Sequence, residues 1–208
     1  MAAVKLSGLQ KVLEAMLLSP LVGFVLGYLL ILVTYRVMFR VPRGAANRGF
    51  RRLQLISSGF MAFSHGANDA QKAMGIITLA LVSTGAISTV EVPIWVILAC
   101  AVAMGLGTLA GGWRIIRTLG MRIVKLEPVH GFAAETSAAL ILLGTAHFGM
   151  PVSTTHTITT CIMGVGSARR LSAVRWGVTM RIVYAWLFTL PGAGLVAYGV
   201  TLAFQALR

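Results

Sequence analysis

The chain has 208 residues, of which 57% are hydrophobic and 11% charged, with a net charge of +13 and a mean hydropathy of +0.86. Soluble domains carry about 25% charged residues, so a soluble globular fold is excluded, and long unbroken apolar runs in place of short alternating ones exclude a membrane β-barrel. The lysines and arginines cluster between apolar runs, where they act as topology signals and not as a nucleic-acid-binding face.

Residues 1–16 read as a short amphipathic or loose lead-in with Lys5, Lys11 and Glu14, and Met1 to Leu13 lacks the order of a signal peptide. Residues 17–208 form the membrane unit. The first span is expected over Leu17 to Phe39. The loop Val41 to Arg52 follows, with Arg43, Arg48, Arg51 and Arg52, a density that marks the cytoplasmic side.

The second span, residues 53–82, is apolar apart from Ser64, His65, Asn68, Asp69, Gln71 and Lys72. A charged side chain near the centre of a membrane helix costs about 2.5–3.5 kcal/mol on insertion scales, so this cluster is a functional suspect. At about 100° per residue, Ser64, Asn68, Gln71 and Gly75 share one stripe and His65, Asp69 and Lys72 the next. A self-neutralising Asp69–Lys72 pair at i,i+3 is the plainer alternative. Gly59, Gly66 and Gly75 suggest that the helix is discontinuous here.

The linker Ser83 to Val92 has Glu91 and no base, which suits the outside. A third span is expected from Pro93 to Gly112, with Gly105, Gly107, Gly111 and Gly112 at helix contacts. Arg114, Arg117, Arg122 and Lys125 return the chain to the cytoplasm. Residues 129–167 then form two arms with basic flanks on both sides, the second arm only Pro151 to Gly166. An arm of about 24 Å is too short to cross, so a re-entrant hairpin is expected, buried in protein or lining a cavity. A last span runs from Gly177 to Phe204, with a kink expected at Pro191, and both termini come out on the external side. The fold class is therefore an all-α polytopic membrane protein of four to five transmembrane helices plus a re-entrant helical hairpin.

The hairpin turn reads Pro151-Val152-Ser153-Thr154-Thr155-His156-Thr157. Pro151 permits a helix start, Ser153 is a good N-cap, and the helix end that follows is an anion site of the kind secondary transporters use. A Ser/Thr-rich cap satisfying only its own backbone is the alternative. Glu135, in the first arm, either faces a watery path, binds a cation or pairs with an arginine such as Arg181. His130 and His147 sit near the arm ends and read as interfacial. His65 and His156 have no metal-site spacing, and Cys100 and Cys161 read as small core residues.

Gly66 to Gly75, GANDAQKAMG, resembles the signature of the inorganic phosphate transporter (PiT) family, and specifically the copy in that family's C-terminal half. PVSTTHT (Pro151 to Thr157) and the arm around Glu135 are similar to the family's other landmarks, in the same order. The resemblance implies symport of inorganic phosphate driven by Na⁺ or H⁺ across a bilayer, expected to be a bacterial plasma (inner) membrane. Family members carry two inverted repeats around one central site. By that likeness Asn68, Asp69 and Glu135 bind or couple the cation. Ser153, Thr154 and Thr155 bind phosphate, Gln71 joins either shell, and Lys72 meets the anion or balances Asp69. No further cofactor or metal is implied. One copy of each motif is present, so the chain matches one half of an inverted-repeat transporter and calls for a second repeat: either the chain is a fragment, or the gene is split and a separate N-terminal half exists, or a second copy pairs with it. Sulfate in place of phosphate, and a non-transporting membrane subunit, remain open. An intramembrane hydrolase using Ser64 or Ser153 with His65 or His156 lacks any nucleophile elbow.

Overall fold

The computed structural model describes residues 6–206 and is helical throughout its regular parts. Six α-helices follow in order: α1 (Leu6–Val37), α2 (Arg43–Ser83), α3 (Ile94–Arg117), α4 (Pro128–His147), α5 (Thr154–Ser167) and α6 (Trp176–Ala206). A π-helical turn, Thr118–Ile123, lies between α3 and α4, and a 3₁₀ turn, Leu171–Ala173, between α5 and α6. Among the described residues, four helices are long and apolar enough to cross a membrane: Gln10–Val37, Ile94–Trp113, Pro128–His147 and Trp176–Ala206. α2 falls outside this group, and its polar cluster accounts for the lower apolarity.

Three expected boundaries and breaks are corrected. The lead-in is helical from Leu6 and continuous with the first span; Gln10 Nε2 donates to Glu14 Oε1 at 2.8 Å across one helical turn, while residues 1–5 lie outside the described residues. The loop at 41–52 is confined to its start, because α1 ends at Val37 and α2 begins at Arg43, directly after Pro42, with alanine- and arginine-rich turns of high helix propensity. α2 is also unbroken through Gly59, Gly66 and Gly75, which face open space. Its 41 residues extend about 60 Å, twice the hydrocarbon thickness of about 30 Å.

α4 and α5 form an antiparallel hairpin. Gly149 makes the turn possible, with φ of 62°. Its N–H donates to Ala146 O at 3.1 Å and that of Met150 to Thr145 O at 2.8 Å, the Schellman closure of a helix. Pro151 then prevents continuation. Ser153 caps α5, its Oγ accepting the His156 N–H at 3.4 Å.

α1 packs on α5 and α4, α2 lies along α4, and α3 lies against α2. The α1–α5 contact is close: a Cβ on Gly27 would strike the Cys161 carbonyl, and one on Gly164 the Phe24 carbonyl. Gly23 and Gly27 form a small-xxx-small pair of the sort membrane helices use for such approaches. Cys161 sits in this core and, like Cys100, is buried and unbonded. By contrast Gly105, Gly107 and Gly111 of α3, expected at a helix contact, face open space. α6 buries only Thr179 and meets the hairpin where Trp186 stacks on His156, ring centroids 4.0 Å apart.

Two sets of contacts fix the level of the hairpin. At its open end, Tyr35 meets His130, Phe50 meets Phe132, and the Arg175 N–H donates to Ile123 O at 2.9 Å. The basic segments around Arg36–Arg52, Arg114–Lys125 and Arg169–Arg175 therefore gather at one end of the bundle. At its closed end, Val152 packs with Ala15 and Leu142, and Lys72 reaches the Val152 carbonyl. Beyond this level α1 continues from Ala15 to Leu6, about 14 Å, and α2 from Lys72 to Ser83, about 16 Å. The hairpin tip thus ends part-way along its neighbours.

Candidate functional site at the hairpin tip

The tip meets α2 at Asp69. Thr154 Oγ1 donates to Asp69 Oδ2 at 3.0 Å, and His65 Nε2 lies 3.0 Å from the same oxygen. Lys72 Nζ donates to Asp69 Oδ1 at 2.9 Å and to the Val152 carbonyl at 2.8 Å. The stripe His65, Asp69 and Lys72 is therefore the one that faces the hairpin. The Asp69–Lys72 pair at i,i+3 exists, but it is tied to the hairpin and does not close on itself. Asn68 is buried beside it. Ser153 lies at the same tip, engaged as the cap.

Other candidates sit elsewhere. Gln71 is exposed and lines a groove of about 990 Å³ between α2 and α3, with His65, Met74 and Met104. Thr155 is exposed. Glu135 is removed from the tip: Ser57 Oγ donates to its Oε2 at 2.5 Å and Gln54 bonds it as well. From Ser57 to Asp69 is about 18 Å along α2. The partners of Glu135 are thus neutral α2 side chains, and Arg181 is exposed on α6. No Ser–His pair forms at the positions considered for a hydrolase: Ser64 Oγ donates to Phe60 O at 2.8 Å, and His156 is stacked on Trp186.

His130 lies at the open, basic end of the hairpin beside Tyr35. It is buried, with Nδ1 accepting the Glu127 N–H at 3.0 Å and Nε2 2.6 Å from the Tyr35 hydroxyl. It closes a capping box at the start of α4. Sequence reading also missed the Val152 carbonyl, a backbone group with no side-chain signal, and the Gly23–Gly27 pair, whose four-residue spacing was legible.

These features define a class: an all-helical, multi-pass membrane protein with a charged site clamped between one long helix and the tip of a hairpin that stops part-way. The chain belongs to the phosphate transporter family, whose model matches residues 1–197; it is a family of transporters and not of enzymes. Among its relatives, the "Probable low-affinity inorganic phosphate transporter" of Rhizobium meliloti (strain 1021) is 49% identical over 191 residues, covering 91% of this chain and 57% of that protein. The protein of the same description from Bacillus subtilis (strain 168) is 43% identical, covering 95% of this chain and 60% of the relative. A solved structure, "The sodium-dependent phosphate transporter", is similar with a TM-score of 0.72 at 26% identity, covering 88% of this chain and 63% of its own. The chain therefore spans about three fifths of the length of these two relatives.

Proposed function

We propose that this chain is the C-terminal repeat of a cation-coupled inorganic phosphate symporter, and that the Asp69–Thr154–Lys72 cluster is its share of the transport site. The observation that carries this reading is the set of donors on Asp69. Thr154, Lys72 and His65 all converge on one carboxylate, and a phosphate oxygen would draw on the same donors. Asp69 thus holds the same donors that a phosphate oxygen would use. A cation bound by Asp69 and Asn68 would neutralise the carboxylate and release Thr154 and Lys72 to phosphate. Loading of one ion then favours loading of the other, which is the requirement for symport.

Phosphate is favoured over sulfate by the descriptions of the relatives, and sodium by that of the structural neighbour. Ser153 and Thr155 would supply further donors at the tip, Gln71 would join from the α3 side, and Glu135 would act at a separate coupling position deeper in the α2–α4 contact. The gathering of basic segments at one end supports a cytoplasmic assignment for that end and a re-entrant hairpin opening from it, in a bacterial inner membrane. The shortfall against the relatives' length supports a second repeat packed on this one, whether in the same longer chain, in a separate half or in a second copy.

The test is [³²P]phosphate uptake into proteoliposomes by this chain, alone and co-reconstituted with a candidate N-terminal half, under imposed Na⁺ or H⁺ gradients. Gradient-driven uptake in either format supports the reading and names the ion. Uptake by a complete carrier that ignores the presence of this chain would make it a non-transporting subunit.

A further inference from the structure

A second polar cavity lies at the opposite end of the hairpin, among the basic segments. It has a volume of about 520 Å³ and is walled by Tyr35, Asn47, Phe50, Glu127, His130 and Arg169. The hydrogen bonds around His130 determine where its proton sits. Nδ1 accepts the Glu127 N–H at 3.0 Å, so it carries no proton. The proton of the neutral ring is then on Nε2, which donates to the Tyr35 hydroxyl oxygen at 2.6 Å. The Tyr35 O–H hydrogen is left over, and it finds no acceptor among the described residues.

Arg169 is similarly unspent. Its Nη1 stands 3.7 Å from Glu127 Oε1, too far for a hydrogen bond, and its fork makes no other bond among the described residues. A planar guanidinium, a hydroxyl donor fixed by a buried histidine, and a carboxamide on the wall match a tetrahedral oxyanion. Arg40, Arg48, Arg51 and Arg170 are neighbours in sequence of the lining residues and add a field that draws anions to this end.

We propose that this cavity is a binding site for a phosphate group, held by the Tyr35 hydroxyl and the Arg169 guanidinium, at the basic end of the bundle and about 33 Å along α2 from Asp69. On binding, Arg169 leaves its loose pairing with Glu127 for the bidentate contact. The group is either free inorganic phosphate or the phosphate of a lipid headgroup, which the helix ends at this level could equally reach.

The experiment uses the full chain carrying Asp69→Asn and Thr154→Val, which disable the tip, in maltoside micelles that contain no phosphate. Saturable [³²P]phosphate binding is expected to persist in this background. Adding Tyr35→Phe or Arg169→Gln should weaken it at least tenfold. Tyr35→Phe keeps the ring, and Arg169 is largely solvent-exposed, so either variant tests the site if the other fails to fold. Titrating in phosphatidylglycerol separates the sources: competition identifies a headgroup site, and indifference a site for free phosphate. Absence of binding in the tip-disabled background, or binding unchanged by both substitutions, overturns the proposal. A failure of the tip reading would look different: Asp69→Asn and Thr154→Val would leave total phosphate binding unaltered, whatever Tyr35 did.

Discussion

At Asp69, Oδ1 takes the Lys72 ammonium at 2.9 Å and Oδ2 takes Thr154 and His65 at 3.0 Å each. Removing the charge with Asp69→Asn should abolish the effect of the cation on phosphate binding while leaving the fold intact, since the carboxamide still accepts from Thr154. Thr154→Val removes one hydrogen bond to a charged group, worth about 1.5–3 kcal/mol, so phosphate affinity should fall roughly 10- to 100-fold; equilibrium binding of labelled phosphate measures it, and unchanged affinity would make the tip merely structural. Glu135 behaves otherwise, because Ser57 and not Asp69 is its neighbour. Glu135→Gln should cut uptake at least tenfold with phosphate affinity nearly unchanged, and a parallel loss of both would place it in the binding site. The Asp69–Lys72 spacing and the Ser153 cap were legible because both depend on local helix geometry. The separation of Glu135 from the tip was not, because it depends on the register of α4 against α2, set by contacts such as Phe50 on Phe132.

The hairpin and the helix it crosses depend on a few backbone contacts. Gly164 of α5 lies against the Phe24 carbonyl with no room for a Cβ. Gly164→Leu should therefore force α1 and α5 apart, at a cost of about 1–3 kcal/mol or more, read as a melting temperature several degrees lower in detergent. Gly149→Ala meets a positive φ at a cost of about 1–2 kcal/mol, and should loosen the turn that delivers Thr154 to Asp69, weakening phosphate binding without touching the site; an unaffected affinity would mean that the tip is held by its contacts alone. Proline and serine made the hairpin turn readable in advance. The continuity of α2 escaped sequence reading because its glycines face open space and no packing demand breaks the helix there.

At the scale of the whole molecule, two helices are left largely uncovered. α6 buries one residue, and α3 presents Leu98, Val102, Leu106 and Leu109 outward, faces that suit lipid or a second repeat. Composition alone was enough to identify a membrane protein, and the placement of arginines anticipated that the basic segments would meet at one end. What covers α3 and α6 was not readable, because an apolar face presented to lipid and one presented to a partner helix have the same composition. The proposed transport site requires that cation and phosphate meet at Asp69 on the hairpin tip. The direct measurement is phosphate affinity of the purified chain with and without Na⁺, for the unaltered protein and for Asp69→Asn. Tighter phosphate binding in Na⁺, lost in Asp69→Asn, is the predicted result; phosphate binding of the same strength in all four conditions would contradict it.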